Sequence, residues 1–147
     1  MSQLLSAVNA AASALDAQRA RMEVAVSNIA NAESTRGKNG EPYRRRDVVL
    51  EAMPAGTFGE ALGAAGGGNA DGVRVAGVLE DQSATAFKRN YDPTHIDAGP
   101  DGYVLMPNVD VPEEMVNLLG AARAYQANLS AIGLIRDTVQ KALELAK

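Results

Sequence analysis

Hydrophobic residues recur at heptad spacing at both ends of the chain, and this pattern restricts the fold more than any other feature of the sequence. Near the start, one seam of side chains seven residues apart holds Val8, Leu15, Met22 and Ile29, and the alternate seam holds Leu4, Ala11, Gln18 and Ala25. Near the end, one seam holds Met115, Ala122, Leu129 and Leu143, with Arg136 as its break, and the other holds Leu118, Tyr125, Ile132 and Val139. Such spacing predicts two long helices that form a coiled-coil-like pair.

The second helix also has a recognisable start. Asp110 can cap free backbone N–H groups, and Pro112 stands in the first turn, where its missing N–H costs nothing. Glu113 and Glu114 follow at the positive end of the helix dipole. We therefore expect this helix to begin close to residue 110.

The helix faces away from the seams are poor in charge. Residues 4–32 contain only four charged side chains, Asp16, Arg19, Arg21 and Glu23, and the chain has 27 alanines but only 4% aromatic residues. A two-stranded coiled coil in water normally carries Glu and Lys beside its seam, so these helices are expected to have neighbours on several sides. Two arrangements remain open: an antiparallel hairpin within one chain, or packing between subunits.

Between the two helical arms the pattern changes to short strand-like runs, at 43–51, 73–79, 84–89 and 102–106. Residues 53–72 contain seven glycines and predict a mobile loop, because so little side chain cannot offset chain entropy. The predicted class is α+β with a small β-rich middle domain. The predicted divisions are an N-terminal arm at 1–35, the middle domain at 36–108 and a C-terminal arm at 109–147.

Composition excludes several classes of function. The chain has no cysteine, which removes disulfides, thiolate metal sites and cysteine nucleophiles. Its net charge of −4 argues against a general polyanion binder. Residues 1–16 carry neither a basic residue nor an unbroken apolar run, so no cleaved signal peptide is expected. Polar residues interrupt the low-charge stretch 115–135, so no membrane insertion is expected.

No catalytic, cofactor-binding or metal-binding residue is predicted. The glycines at 66–68 are not followed by the Lys-Ser/Thr of a phosphate loop, and no Gly-x-Ser-x-Gly motif occurs. The single histidine, His95, lies among Asp92, Asp97 and Asp101, where Pro and Gly residues mark consecutive turns. In such turns Asp side chains bond nearby backbone, so a structural role is favoured over a hydrolase site.

A basic run at Arg36, Lys38, Arg44, Arg45 and Arg46, next to Tyr43, is the strongest feature that favours nucleic-acid binding. It stands alone in an acidic chain, and charges on a strand also discourage wrong pairing. The alternative function is therefore a self-contained helical-hairpin interaction module with a nucleic-acid-binding edge at Arg44–Arg46. An assembly subunit accounts better for both ends of the chain.

Both ends also carry a family resemblance. The segment AVSNIANA at 25–32, followed by Ser34 and Thr35, resembles the N-terminal motif of the bacterial flagellar rod and hook family. The segments YDP at 91–93, GYV at 102–104, MPNVD at 106–110, EMV at 114–116 and RAYQAN at 123–128 resemble the proximal rod proteins of the basal body, the FlgC type. The resemblance runs from end to end and is weakest in the Gly-rich segment.

The resemblance implies a structural subunit of the proximal rod, the shaft that links the membrane ring to the hook, with no catalysis and no cofactor. It implies location in the basal body within the periplasmic space, after export without cleavage by the flagellar type III apparatus. The implied partners are self copies, other rod proteins and the adaptor proteins of the membrane ring and rod base. Neither nucleic acid nor a small-molecule substrate is expected.

We expect assembly contacts along the seams of both arms, and Asn28 and Asn31 as turn-forming groups that close the first helix. The seam residues predicted to make these contacts are Leu4, Val8, Leu15, Met22, Ile29, Met115, Leu118, Tyr125, Leu129 and Ile132. Head-to-tail contacts that do not close into a ring build open helical filaments. In a free monomer such arms would bury little surface, so they are expected to be largely unfolded until assembly.

Overall fold

The computed structural model describes residues 2–37, 39–54 and 70–145. The elements in chain order are α1 (Ser2–Ala30), β1 (Arg46–Pro54), β2 (Ala70–Glu80), β3 (Phe87–Tyr91), β4 (Tyr103–Pro107) and α2 (Val111–Leu145). The predicted α+β class, with two long terminal helices around a β-rich middle, is confirmed. Neither helix contains, within the described residues, a stretch long and apolar enough to cross a membrane.

Local sequence signals set the inner ends of both helices. At the end of α1, the Asn31 amide N–H and side-chain Nδ2 both donate to the Ser27 carbonyl, at 3.1 and 2.8 Å. Both hydrogen bonds go to one of the last carbonyls of the helix, whose hydrogen bonding the helix end would otherwise leave incomplete. At the start of α2, the Asp110 carbonyl accepts from the Glu114 amide at 3.0 Å and its Oδ1 accepts from the Glu113 amide at 3.4 Å. The predicted cap at Asp110 is confirmed. In the turn that closes α1, the Asn31 side chain bonds the backbone as predicted, and Asn28 takes part through its carbonyl, which accepts from the Asn31 amide at 3.2 Å.

The four strands form two separate two-stranded sheets, β1 with β2 and β3 with β4. Strands β3 and β4 are antiparallel, and their register runs from Phe87 opposite Pro107 to Tyr91 opposite Tyr103. The loop predicted at 53–72 is shorter than expected, because β1 continues through residue 54 and β2 begins at residue 70. The remainder of that predicted loop, 55–69, lies outside the described residues.

The chain divides into two compact units, and each contains parts of both helices. The first unit comprises Met1–Ala20, Val49–Gly77 and Gly120–Lys147, and the second comprises Arg21–Val48 and Val78–Leu119. The sequence predicts two arms and a middle domain instead, and that division stays a prediction. In each unit, residues of the two helices lie together within one chain.

Small residues of both helices are buried in the first unit. Ala17 of α1 is 1% exposed and Ala121 of α2 is fully buried. Ser13 on α1 donates its hydroxyl to the Ala10 carbonyl at 2.8 Å, and its oxygen accepts from the Val73 amide of β2 at 3.1 Å. The alanine and serine positions of α1 therefore allow the backbone of β2 to approach closely.

Gly72 shows how tight this approach is. Its φ is +147°, and a Cβ built there would lie 2.3 Å from Ser13 Oγ and 3.2 Å from Met53 Cε. We expect Gly72→Ala to lower the free energy of unfolding by about 1–3 kcal/mol, through backbone strain and the clash with Ser13. Urea titration of the purified chain followed by circular dichroism measures the change.

Gly77 in the same strand provides the matched control, because a Cβ there would meet nothing within 4 Å. Gly77→Ala is expected to leave the unfolding midpoint unchanged or slightly raised, since it only reduces the freedom of the unfolded chain. Equal midpoints for the two variants would contradict the close contact between β2 and Ser13.

Candidate functional site

The second unit contains a buried polar cluster that joins the end of α1, the start of β1 and the start of α2. Its members, which we call the Asn28 cluster, are Asn28, Tyr43, Arg45, Arg46 and Glu114. Asn28 is fully buried and Glu114 is 2% exposed. Buried polar groups of this kind are stable only when their hydrogen bonds are made.

Asn28 makes every hydrogen bond that its side chain offers. Its Nδ2 donates to the Arg46 carbonyl at 2.9 Å and to Glu114 Oε2 at 3.1 Å. Its Oδ1 accepts from the Arg46 amide at 3.0 Å and from the Tyr43 hydroxyl at 2.9 Å. Asn28 therefore makes the same pair of hydrogen bonds to the Arg46 backbone that a neighbouring strand would make. It also donates a hydrogen bond to the buried carboxylate of Glu114 in α2.

Glu114 completes the cluster through an ion pair with Arg45. Arg45 Nε and Nη2 lie 2.8 and 2.7 Å from Glu114 Oε1, and Glu114 Oε2 is held by Asn28. Partial burial opposes charge on Arg45, but the hydrogen bond and the negative charge of Glu114 outweigh it and raise the pKa of Arg45. The guanidinium therefore stays charged at any pH compatible with folding, and the pair fixes β1 to the start of α2.

The arginines of the predicted nucleic-acid-binding edge are engaged within the chain. Arg44 lies 4.7 Å from the centre of the Phe87 ring and donates to the Asp81 carbonyl, and Arg46 pairs with Glu80 at 2.7 Å. Arg45 belongs to the Asn28 cluster. Arg36 pairs with Asp97 at 2.9 Å, and Lys38 lies outside the described residues. The nucleic-acid-binding alternative gains no support, because these charges already meet acidic or aromatic partners.

The acidic segment around His95 forms turns, as predicted. His95 Nδ1 accepts from the Asp97 amide at 3.0 Å, and the Asp97 carboxylate accepts from Thr35 Oγ1 at 2.9 Å. The Asp92 carboxylate accepts from the Thr94 hydroxyl and amide, and these hydrogen bonds lower the pKa of Asp92. No group of three or more potential metal ligands occurs within residues 2–37, 39–54 and 70–145.

The predicted assembly residues fall into three classes of exposure. Asn28 is fully buried in the Asn28 cluster. Leu4, Met115 and Leu129 are 40%, 54% and 54% exposed. The others are half-buried: Val8, Leu15, Met22, Ile29, Asn31, Leu118, Tyr125 and Ile132. On α2, the seam through Met115 and Leu129 is therefore the more open of the two.

Sequence reasoning missed most of the Asn28 cluster. It assigned Asn28 to a turn, Arg45 to a basic edge and Glu114 to the helix dipole. It also missed further exposed apolar residues on α2: Val116, Leu119, Leu134 and Leu145. The available signal was an acidic residue at the start of α2 and a basic run before β1, but nothing in the sequence pairs Glu114 with one particular arginine.

Comparison with known families gives the class of this protein. Residues 8–37, which include Asn28, match the family described as "Flagella basal body rod protein". Residues 101–145, which include Glu114, match the family described as "Flagellar basal body rod FlgEFG protein C-terminal". The parts of both helices that belong to the Asn28 cluster thus lie in segments typical of flagellar basal-body rod proteins.

Relatives that match the chain over nearly its whole length identify the particular family of rod proteins. The chain is 46% identical to the flagellar basal-body rod protein FlgC of Bacillus subtilis (strain 168), over 95% of this chain and 96% of the relative. It is 42% identical to FlgC of Salmonella typhimurium, over 98% of each chain, and 36% identical to FlgC of Borreliella burgdorferi, over 97% of each. The chain belongs to the FlgC family of flagellar basal-body rod proteins, and the resemblance of its motifs is confirmed.

Proposed function

We propose that this chain is a structural subunit of the proximal rod, which assembles through head-to-tail contacts into the shaft that transmits torque from the membrane ring to the hook. The observation that carries the proposal is end-to-end similarity to FlgC rod proteins, together with long helices that leave large apolar side chains in solvent. Exposed apolar side chains that recur along a helix face are typical of an interaction surface.

The assembly surface that we propose is the open part of the predicted seams. Leu4, Met115 and Leu129 expose enough apolar area to contact another subunit without any change in the chain. The half-buried seam residues, such as Leu118 and Tyr125, would contribute at the edges of the same contacts. Asn28 would act indirectly, because it holds the inner ends of the helices and β1 in one arrangement.

Torque transmission follows from the length and attachment of the helices. Helices of 29 and 35 residues are about 43 and 52 Å long. Many shallow apolar contacts along such lengths sum to a stiff interface. The Asn28 cluster adds a rigid joint between α1, β1 and α2, so a force applied to one of these elements reaches the others without local unfolding.

The remaining parts of the proposal concern partners and location. The partners would be self copies, other rod proteins and the adaptors of the ring and rod base, in the periplasmic part of the basal body. Export would use the flagellar type III apparatus without cleavage. The proposed role requires no catalysis, cofactor, nucleic acid or membrane insertion. Unfolded arms in the free monomer stay a prediction, which limited proteolysis of the purified chain tests.

Isolation of basal bodies tests the proposed function directly. Cells that express an epitope-tagged chain in place of the untagged one are expected to swim, and the tag is expected to copurify with basal bodies. Deletion of the gene is expected to abolish swimming and to leave no rod beyond the missing subunit. Basal bodies that are complete without the chain, or a deletion strain that swims, would contradict the proposal.

A further inference from the structure

The first unit has an open apolar groove between the start of α1 and the end of α2. Its volume is about 450 Å³, and its apolar walls are Leu4, Leu5 and Val8 of α1 with Ile132, Ile135 and Val139 of α2. Leu5 is 64% exposed and Leu4 is 40% exposed. An open apolar groove between two helices has the form that receives apolar side chains from the face of a third helix.

The second unit presents an apolar helix face of the matching kind. At the start of α2, Met115, Val116 and Leu119 are 54%, 68% and 58% exposed. Val116 and Leu119 are three residues apart and therefore project from the same side of the helix. Glu113 lies three residues before Val116, on the edge of the same side of the helix, and its side chain is exposed, whereas the carboxylate of Glu114 is buried and already paired with Arg45.

Glu113 on this helix face and Arg136 at the groove carry opposite charges. Among the described residues that line the groove, Arg136 is the charged one. Its guanidinium lies 3.2 Å from the carboxylate of the adjacent Asp137, but the two side chains are 72% and 55% exposed, and such pairs hold weakly. A carboxylate on an apolar helix face of another copy would be better shielded from water than the Asp137 carboxylate. It would therefore compete with Asp137 for Arg136.

We propose that the groove of one copy of the chain receives the start of α2 of a second copy, with Val116 and Leu119 in the groove and Glu113 paired with Arg136. The two surfaces are different, so the contact leaves one groove and one helix start free and adds further copies in a single direction. This inference rests on the proposed function and specifies which surfaces of self copies meet.

The absence of cysteine from the chain allows a clean cross-linking test. Purified Leu5→Cys copies mixed with Leu119→Cys copies are expected to form a disulfide-linked pair under mild oxidation, seen on a non-reducing gel. Leu5→Cys mixed with Lys88→Cys, an exposed position on β3, is the control and is expected to remain unlinked. Equal yields from the two mixtures would overturn the proposal.

A charge exchange tests the ion pair. Glu113→Arg in the Leu119→Cys copy, or Arg136→Glu in the Leu5→Cys copy, is expected to lower the linked yield at least about tenfold at limiting concentration. Together the two substitutions are expected to restore it. Circular dichroism of each variant checks that the helices are intact, and loss of yield without restoration would overturn the pairing of Glu113 with Arg136.

The outcome is separable from that of the basal-body experiment. If the tagged chain copurifies with basal bodies but Leu5→Cys links there only to a different rod protein, the proposed function stands and a second copy is the wrong occupant. If it links to nothing, the groove is not a contact at all. Linking between purified copies with the expected charge dependence supports the proposal even before basal bodies are isolated.

Discussion

Replacement of Arg45 with methionine is expected to lower the free energy of unfolding of the chain by about 3 kcal/mol, because it leaves the Glu114 carboxylate buried without its ion-pair partner. The Glu114 side chain is 3% exposed, so water cannot replace the guanidinium without local opening. Methionine keeps most of the aliphatic stem of Arg45, so the loss reports the charge and its hydrogen bonds. Urea titration followed by circular dichroism measures it.

Arg46→Met is the matched control, one residue further along the chain. Arg46 also pairs with a carboxylate, that of Glu80, at the same distance of 2.7 Å as the Arg45–Glu114 pair, but both side chains are more than 40% exposed. Exposed pairs contribute about 0–1 kcal/mol. The two variants thus separate the effect of burial from the effect of removing an arginine, and similar losses would contradict the Arg45–Glu114 account.

A double variant makes the test sharper. Arg45→Met combined with Glu114→Met is expected to be more stable than Arg45→Met alone, because the double variant no longer buries an unpaired Glu114 carboxylate. If Arg45→Met leaves stability unchanged, the cluster is not formed in the free chain. That result would favour the expectation from sequence that the arms fold only on assembly, and limited proteolysis of the same sample would then cut both helices.

The secondary structure could be predicted from the sequence because its signals are local. Heptad spacing predicts both helices, Asp110 and Pro112 predict the start of α2, and the glycine-rich segment separates β1 from β2. The choice between the two seams of α2 could not be predicted in this way. Heptad spacing identifies apolar stripes, but it does not say that Leu118 and Tyr125 are half-buried whereas Met115 and Leu129 stay open.

The hydrogen bonds of Asn28 are a second feature that the sequence pattern could not predict. An Asn close to the end of a helix usually bonds nearby backbone, and Asn31 does so. Asn28 instead bonds Arg46, 18 residues away, and Glu114, 86 residues away. Partners at such separations depend on how strands and helices come together, and one sequence contains no local pattern that specifies them.

Leu129→Asp is expected to abolish swimming while leaving the isolated chain folded. Leu129 is 54% exposed, so aspartate there costs the free chain little, about 0.5 kcal/mol or less. In an assembled rod the same carboxylate would be buried against apolar neighbours, at a cost of several kcal/mol. Motility in soft agar, the yield of the chain in purified basal bodies and the urea midpoint of the purified chain measure the three consequences.

Ala131→Asp introduces the same charge on the opposite side of the same helix, at another exposed position, and is expected to allow swimming. Leu129→Met, which keeps the apolar surface, is also expected to swim. Normal swimming of the Leu129→Asp strain would remove Leu129 from the assembly surface. A collapse of the urea midpoint in the same variant would instead show that Leu129 stabilises the chain itself.

The expected effect of Leu129→Asp on motility is large because the same contact between subunits is repeated along the shaft. A subunit that binds its neighbours through the same surface buries Leu129 once at every such contact, so one substitution is repeated in each copy that joins the shaft. The penalty in the assembly therefore multiplies with the number of copies, whereas the penalty to a single chain does not. A large loss of motility beside an unchanged urea midpoint is the combination that only an assembly role of Leu129 accounts for.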